Sequence, residues 1–489
     1  MNLSLNIKNI FYIPLILLFF PAFAFNIPGT SFTMLYLYVF VYIILGYLIL
    51  TKPKKFFQKI IKAAKETPFK YLLIALILMV INSLFLGIIG RAGIGTTMTY
   101  IFGYIFMKLL PVFLYFMYII EDIIPFKKFF SIFILLFWIN LIGGFISFFG
   151  ELFNITAISA IFDFFANKRI IYTNLLGGDT SLVSSHTSFG IPRLENLFEE
   201  PAQYAQFLLL LLPFAYTYAR VPLKISKSKL INKIIRLTIV PFTWISIILT
   251  LSPIYPIFAI ILTVIYYLKH IINFIKKYFL LLLIFIFAVI FIFSSVDLSE
   301  TYLSRIINVL TNIKSMQDFA LVEPSLAARI IGAINAFCIF MQHPFAGVGV
   351  GNLPYVAYNQ YLHSPVPLTI EIINKTKMLQ EQGMGAFISG GFFTTILAEN
   401  GGFISFLWFY FIYKLYKNAI SIKNICRTCN DRLYYLFSEG IRGSIIGIFI
   451  LFFYSMHYTQ LTFLTVVILA VIGIYSYKIG RNENDKKNS

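Results

Sequence analysis

Apolar stretches of roughly 16 to 20 residues recur along the chain, separated by short polar clusters. About 20 helical residues rise far enough to cross about 30 Å of hydrocarbon. The pattern predicts transmembrane helices near 10–25, 33–50, 71–90, 101–120, 129–149, 203–219, 237–252, 254–268, 278–295, 393–413, 443–457 and 461–477. Two intervening segments, about 150–202 and 296–392, exceed the length of ordinary connections. Aromatic and β-branched residues run through both, so neither has a disordered composition. Within the second, Leu326, Ile330, Ile331, Ile334, Phe337, Cys338 and Met341 have the spacing of an amphipathic or buried helix over 326–341.

The expected fold class is therefore an all-α polytopic membrane protein with about twelve transmembrane helices and a large, partly helical loop on the outer, periplasmic face. It divides into 1–295 (nine helices, with a first outer loop at 150–202), the large loop 296–392, and 393–489 (three helices and a short tail). Composition strengthens this picture: 59% of the 489 residues are hydrophobic and 12% charged, with a mean hydropathy of +0.84. Soluble domains carry about 25% charged residues. Ala22-Phe23-Ala24 after Lys8 and an apolar run also resembles a cleavable signal, a rival to the first helix.

Charge placement orients the bundle. The net charge of +19 lies in short basic clusters between apolar runs and forms no patch suited to nucleic acid. Lys52–Lys70, Lys224–Arg236, Lys269–Lys277, Lys414–Arg432 and Lys478–Lys487 fall on one side of a twelve-span chain. The other side receives nine of the 39 basic residues, although it holds the longest loops. The positive-inside rule makes that side outer and both termini cytoplasmic, in a bacterial inner membrane.

Soluble-enzyme motifs such as HExxH, a Walker loop or GxSxG with a triad are missing. Cys426 and Cys429, read as part of a cytoplasmic loop, have no second pair beside them, so no zinc site is expected. The outer carboxylates have no ligand spacing either, and neither metal nor cofactor is expected.

Three clusters on the outer face carry candidate chemistry. They are Pro192–Pro201, Ser325–Arg329 continuing to Gln342–Asn352, and Leu397–Gly402. Arg193 followed by Phe198-x-Glu200-Pro201, then Ser325-x-x-x-Arg329 and Pro344-x-x-Gly347-x-Gly349, then Ala398-Glu399-x-Gly401 resembles the O-antigen polymerase and ligase superfamily. The similarity in topology covers nearly the whole chain, and the motifs cover about 60 residues.

The resemblance implies a metal-independent glycosyltransferase acting on an undecaprenyl-diphosphate-linked oligosaccharide, with a chain-length regulator as a further partner. Displacement of a diphosphate leaving group calls for fixed cations, and guanidinium meets phosphate oxygens two at a time. Arg329 and Arg193 are the expected clamp. Anchoring at anionic lipid, or tying loop carbonyls together, is the structural alternative for both. Glu200 and Glu399 are the family-matched carboxylates for a general base, and helix capping is the rival for Glu200. Gly347, Gly349 and Gly351 let backbone approach a ligand, or simply turn the chain. Asn352, His343 and Lys108, a charge inside a predicted span, complete the candidate binding residues.

Ligases resembling this chain carry a His at the start of the Glu-x-Gly helix and Ser-Arg at an earlier outer helix end. Here Phe387–Phe393 holds no His, and Ser252 precedes Pro253. Both departures favour a polymerase over a ligase. A lipid-linked glycan transporter is the third reading, disfavoured because no internal repeat or interrupted helix is evident in the sequence.

Overall fold

The computed structural model describes residues 35–89, 101–122, 124–158, 191–194, 201–221, 223–252, 254–268, 324–350, 391–452 and 461–488, with a few isolated positions besides. The predicted helix at 278–295 lies outside the described residues, as does nearly all of 10–25.

The described chain is predominantly α-helical. In order run α1 (Leu35–Thr51), α2 (Pro53–Glu66), α3 (Phe69–Ile89), a π-helical stretch Ile101–Leu109 leading into α4 (Leu110–Asp122), α5 (Phe126–Leu152), α6 (Pro201–Arg220) and α7 (Lys229–Leu249). Then come α8 (Ile254–Leu268), α9 (Pro324–Gln342), α10 (Phe392–Cys429), α11 (Arg432–Phe452) and α12 (Leu461–Asn488). A two-residue antiparallel pair, Thr187–Ser188 with Ile191–Pro192, is the departure from an all-helical expectation. Six of these helices, α3, α5, α7, α10, α11 and α12, are long and apolar enough to cross a membrane. The chain has the construction of an α-helical polytopic membrane protein.

Local chemistry sets the helix ends. Pro53 opens α2 without losing a hydrogen bond. Thr67 closes it, its hydroxyl donating to the Ala63 carbonyl at 2.8 Å. Ser228 caps α7. Between α10 and α11 the turn takes two residues: Asn430 adopts a left-handed conformation (φ 55°). Asp431 then accepts the Leu433 and Tyr434 N–H groups at 3.1 and 3.3 Å.

Two predicted basic loops are in fact helices. The segment Lys52–Lys70 contains α2, which buries Phe56, Lys59 and Ala63 against the bundle. The Lys59 ammonium donates to the Tyr118 carbonyl at 2.7 Å, joining α2 to the last turn of α4. Lys414–Arg432, read as a loop holding both cysteines, instead continues α10 to Cys429. Leu415, Ala419, Ile422 and Cys426 supply its buried stripe. The physical reason is amphipathicity, which sustains a helix after the fully apolar run ends.

α11 likewise starts at Arg432, eleven residues before the predicted 443. Glu439 and Arg442 ended the apolar run, but in the bundle they neutralise each other. Arg442 Nε and Nη2 each lie 3.2 Å from the Glu439 carboxylate, and Lys423 Nζ of α10 approaches it to 2.7 Å. α11 packs most extensively on α6 and then on α10. Gly443 and Gly447, four apart, allow the close approach. A Cβ at Gly443 would lie 2.4 Å from Pro213, and one at Gly440 would lie 2.2 Å from the Phe214 ring. The Ser444 hydroxyl donates across this seam to the Leu210 carbonyl.

Candidate functional site

The helix expected at 326–341 is α9, spanning Pro324–Gln342 and packed on α10. It delivers His343 and the following turn onto a break in α10. At Gly401 the backbone leaves helical geometry (φ 69°, ψ −177°) and helix resumes beyond it. This overturns the expectation of uninterrupted helices, since a Gly-Gly pair inside an apolar run reads as continuous.

A broken helix exposes carbonyls and N–H groups that need partners. The 343–350 turn supplies them. Val348 N–H donates to the Ala398 carbonyl at 2.9 Å and Gly349 N–H to the Glu399 carbonyl at 2.7 Å, while Gly402 N–H donates to the Pro344 carbonyl at 2.7 Å. The side of the turn away from α10 is held by α3: Asn82 Nδ2 donates to the Ala346 carbonyl at 2.7 Å, and Val350 N–H donates to the Ser83 hydroxyl at 3.0 Å. Two sequence clusters fifty residues apart are thus one interlocked unit.

The glycines make that contact possible. A Cβ on Gly347 (φ 66°) would sit 2.5 Å from the Glu399 carbonyl carbon, and one on Gly401 would sit 2.2 Å from the Phe345 carbonyl oxygen. Gly349 (φ 83°) faces Ser83 and Leu86 of α3. The close backbone approach at Gly347 is therefore made to protein. Gly351 lies outside the described residues.

Buried polar side chains lie at the break and along α9. Glu399 is buried, as are Asn400, Asn352 and Asn335. Among the described residues, Asn400 Oδ1 and both side-chain polar atoms of Asn352 and Asn335 have no hydrogen-bond partner. Buried amides of this kind ordinarily find partners; Asn352 and Asn400 lie at the interlock, with Asn335 further back on α9. Sequence reading missed Asn335 and Asn400, because a single Asn within an apolar run carries no signal of its own. His343 is exposed beside the turn, and its carbonyl accepts Gly347 N–H at 2.9 Å.

Arg329 lies elsewhere along α9. Fourteen residues separate it from His343, about 21 Å of helix rise. It is half-buried and engaged with other groups. Arg193 follows the short strand pair and is tied to the end of α7. Its Nε donates to the Thr250 carbonyl at 3.1 Å, and Nη2 donates to the Ser252 hydroxyl at 2.8 Å. Leu194 N–H donates to the Leu249 carbonyl at 2.9 Å, so this loop is stitched to α7 through both residues. Beyond it Asn196 (φ 52°) enters the bundle and donates to the Asn140 carbonyl at 3.0 Å.

Glu200 lies outside the described residues, immediately before α6. Lys108 belongs to the π-helical stretch Ile101–Leu109, and its side chain is likewise outside the description. π-Helical geometry is rare and concentrates at functional sites. Among the described residues, no three of His, Cys, Asp and Glu gather closely enough to hold a metal ion. No protein-family model matches this chain. A search of curated proteins also finds no match, and the functional reading rests on the geometry above together with the motif resemblance.

Proposed function

We propose that this protein is a polysaccharide polymerase of the inner membrane. In this reading a growing glycan leaves undecaprenyl diphosphate and joins a sugar hydroxyl of an incoming lipid-linked repeat unit on the outer face. The membrane topology belongs to the same reading: twelve spans, cytoplasmic termini, and the broken end of α10 facing outward.

The supporting observation is the interlock of the 343–350 turn with α10 at Gly401, which groups Glu399, Asn400 and Asn352. Glu399 and Asn352 are positions at which the resemblance expects substrate, and Asn400 adjoins them. Glu399, held by the break, would accept the acceptor proton, and the unpartnered amides would bind sugar hydroxyls. Arg193 and Arg329 would stabilise the departing diphosphate.

Separating lipid-linked and surface glycans from a strain lacking the gene tests this directly. Single repeat units on the surface, with no ladder, are the expected result. Long chains accumulating on the carrier while the surface acceptor stays bare would make it a ligase. One observation favours a transporter: an interrupted helix with unpartnered polar groups is how many transporters hold cargo. Counterflow of a labelled lipid-linked glycan across sealed vesicles, without change in its length, would establish that reading instead.

A further inference from the structure

At the other end of α10, away from the break at Gly401, lies a second arrangement. The helix from Gly402 to Cys429 is about 42 Å long, so its last turns project beyond a hydrocarbon core of about 30 Å. There a cavity of about 370 Å³ opens between α6, α10 and α11, lined by Arg220, Cys426, Arg427, Arg432 and Tyr435 among others. Each arginine comes from a different helix: the last residue of α6, the last turn of α10 and the first residue of α11. Among the described residues none of the three forms an ion pair.

The carboxylates nearby are already committed. Asp431, which also lines the cavity, accepts two N–H groups at the start of α11. Glu439, one helical turn deeper than Tyr435, is shared between Lys423 and Arg442. Five basic side chains thus accompany two carboxylates over about three turns of helix. Arg220, Arg427 and Arg432 are exposed, so water solvates this surplus until an anion takes its place. The fold holds it in place with aromatic faces: Arg220 lies 4.0 Å from the Tyr267 ring centroid and Arg442 lies 5.4 Å from that of Tyr266.

We propose that this cavity binds the phosphate of an anionic membrane lipid. Guanidinium forks match phosphate oxygens in pairs, and the volume falls within the range of small-ligand pockets. The position, at the ends of membrane-crossing helices on the more basic face, is where lipid headgroups lie. A soluble phosphate would share the same chemistry, so the test must separate the two. The inference stands independently of the glycan-transfer reading.

The experiment is native mass spectrometry of the full-length purified protein, titrated with phosphatidylglycerol, with phosphatidylcholine and with inorganic phosphate. One phosphatidylglycerol should be retained in preference to phosphatidylcholine. Arg427→Gln with Arg432→Gln should weaken that binding by about tenfold or more. Lys227→Gln with Lys229→Gln, which removes equal charge from exposed positions outside the cavity, should leave it unchanged. Equal loss in both pairs, or unchanged binding in the arginine pair, overturns the site. Competition by inorganic phosphate at equal concentration overturns the lipid assignment in favour of a soluble phosphate. If the arginine pair fails to fold, Arg427→Lys with Arg432→Lys keeps the charge and loses the fork. Wild-type phosphatidylglycerol affinity in that variant then overturns the proposal.

Discussion

At the scale of single residues, Gly401 and Gly347 face each other's backbones. A side chain at either meets a carbonyl group within 2.5 Å and must also adopt a positive φ. Gly401→Ala should destabilise the protein by at least about 2 kcal/mol, seen as a lower Tm in detergent, and should abolish polymer. A wild-type Tm would show that the turn does not rest on α10. Arg193 carries a different expectation, because its guanidinium reaches Thr250 and Ser252 together. Lysine offers one nitrogen, so Arg193→Lys should insert normally yet lose most activity, and Arg329→Lys should do the same. Full ladders from either variant would remove the two-point role of that arginine. The motifs themselves were legible as unusual polar islands in apolar sequence. That Gly347 meets Glu399 was not, because nothing in a linear pattern couples positions fifty residues apart.

At the scale of elements, α11 shows how burial changes the meaning of a charge. Glu439 and Arg442 look like the end of a membrane span, yet they lie inside one, matched by Lys423 from α10. Glu439→Gln leaves two cations facing each other in the bundle and should cost about 3–5 kcal/mol, measured by thermal unfolding. Replacing all three with apolar residues of similar volume should restore much of that stability. If Glu439→Gln melts like the wild type, the cluster contributes nothing to the α10–α11 packing. The glycine seam is tested separately. Gly443→Val places a branched side chain against Pro213 of α6 and should prevent α11 from docking, leaving little folded protein in size-exclusion profiles. Helix α9 was readable in advance because its 3.6-residue period is complete within its own sequence. The extension of α10 to Cys429 was missed because its stripe is narrower than a membrane-facing surface.

At the scale of the whole molecule, the proposed topology places Phe345 outside and Asn430 inside. Phe345 is 88% exposed, so a cysteine there, with Cys338, Cys426 and Cys429 replaced, should react with an impermeant maleimide in intact cells. A cysteine at 430 should react only after the membrane is opened. The reverse pattern would invert the bundle and move the broken end of α10 to the cytoplasm.

The sequence by itself determined that the chain is built of apolar helices suited to a bilayer, and that one more helix lies over 326–341. These follow from composition and period, which are properties of neighbours along the chain. Only the tertiary structure decided that α10 breaks at Gly401, that the 343–350 turn satisfies the break, that buried amides collect beside it, and that three arginines from three helices share one cavity. Each of those depends on groups far apart in the chain meeting across a packed interface, where hydrogen bonding and charge pairing are set by distance in space.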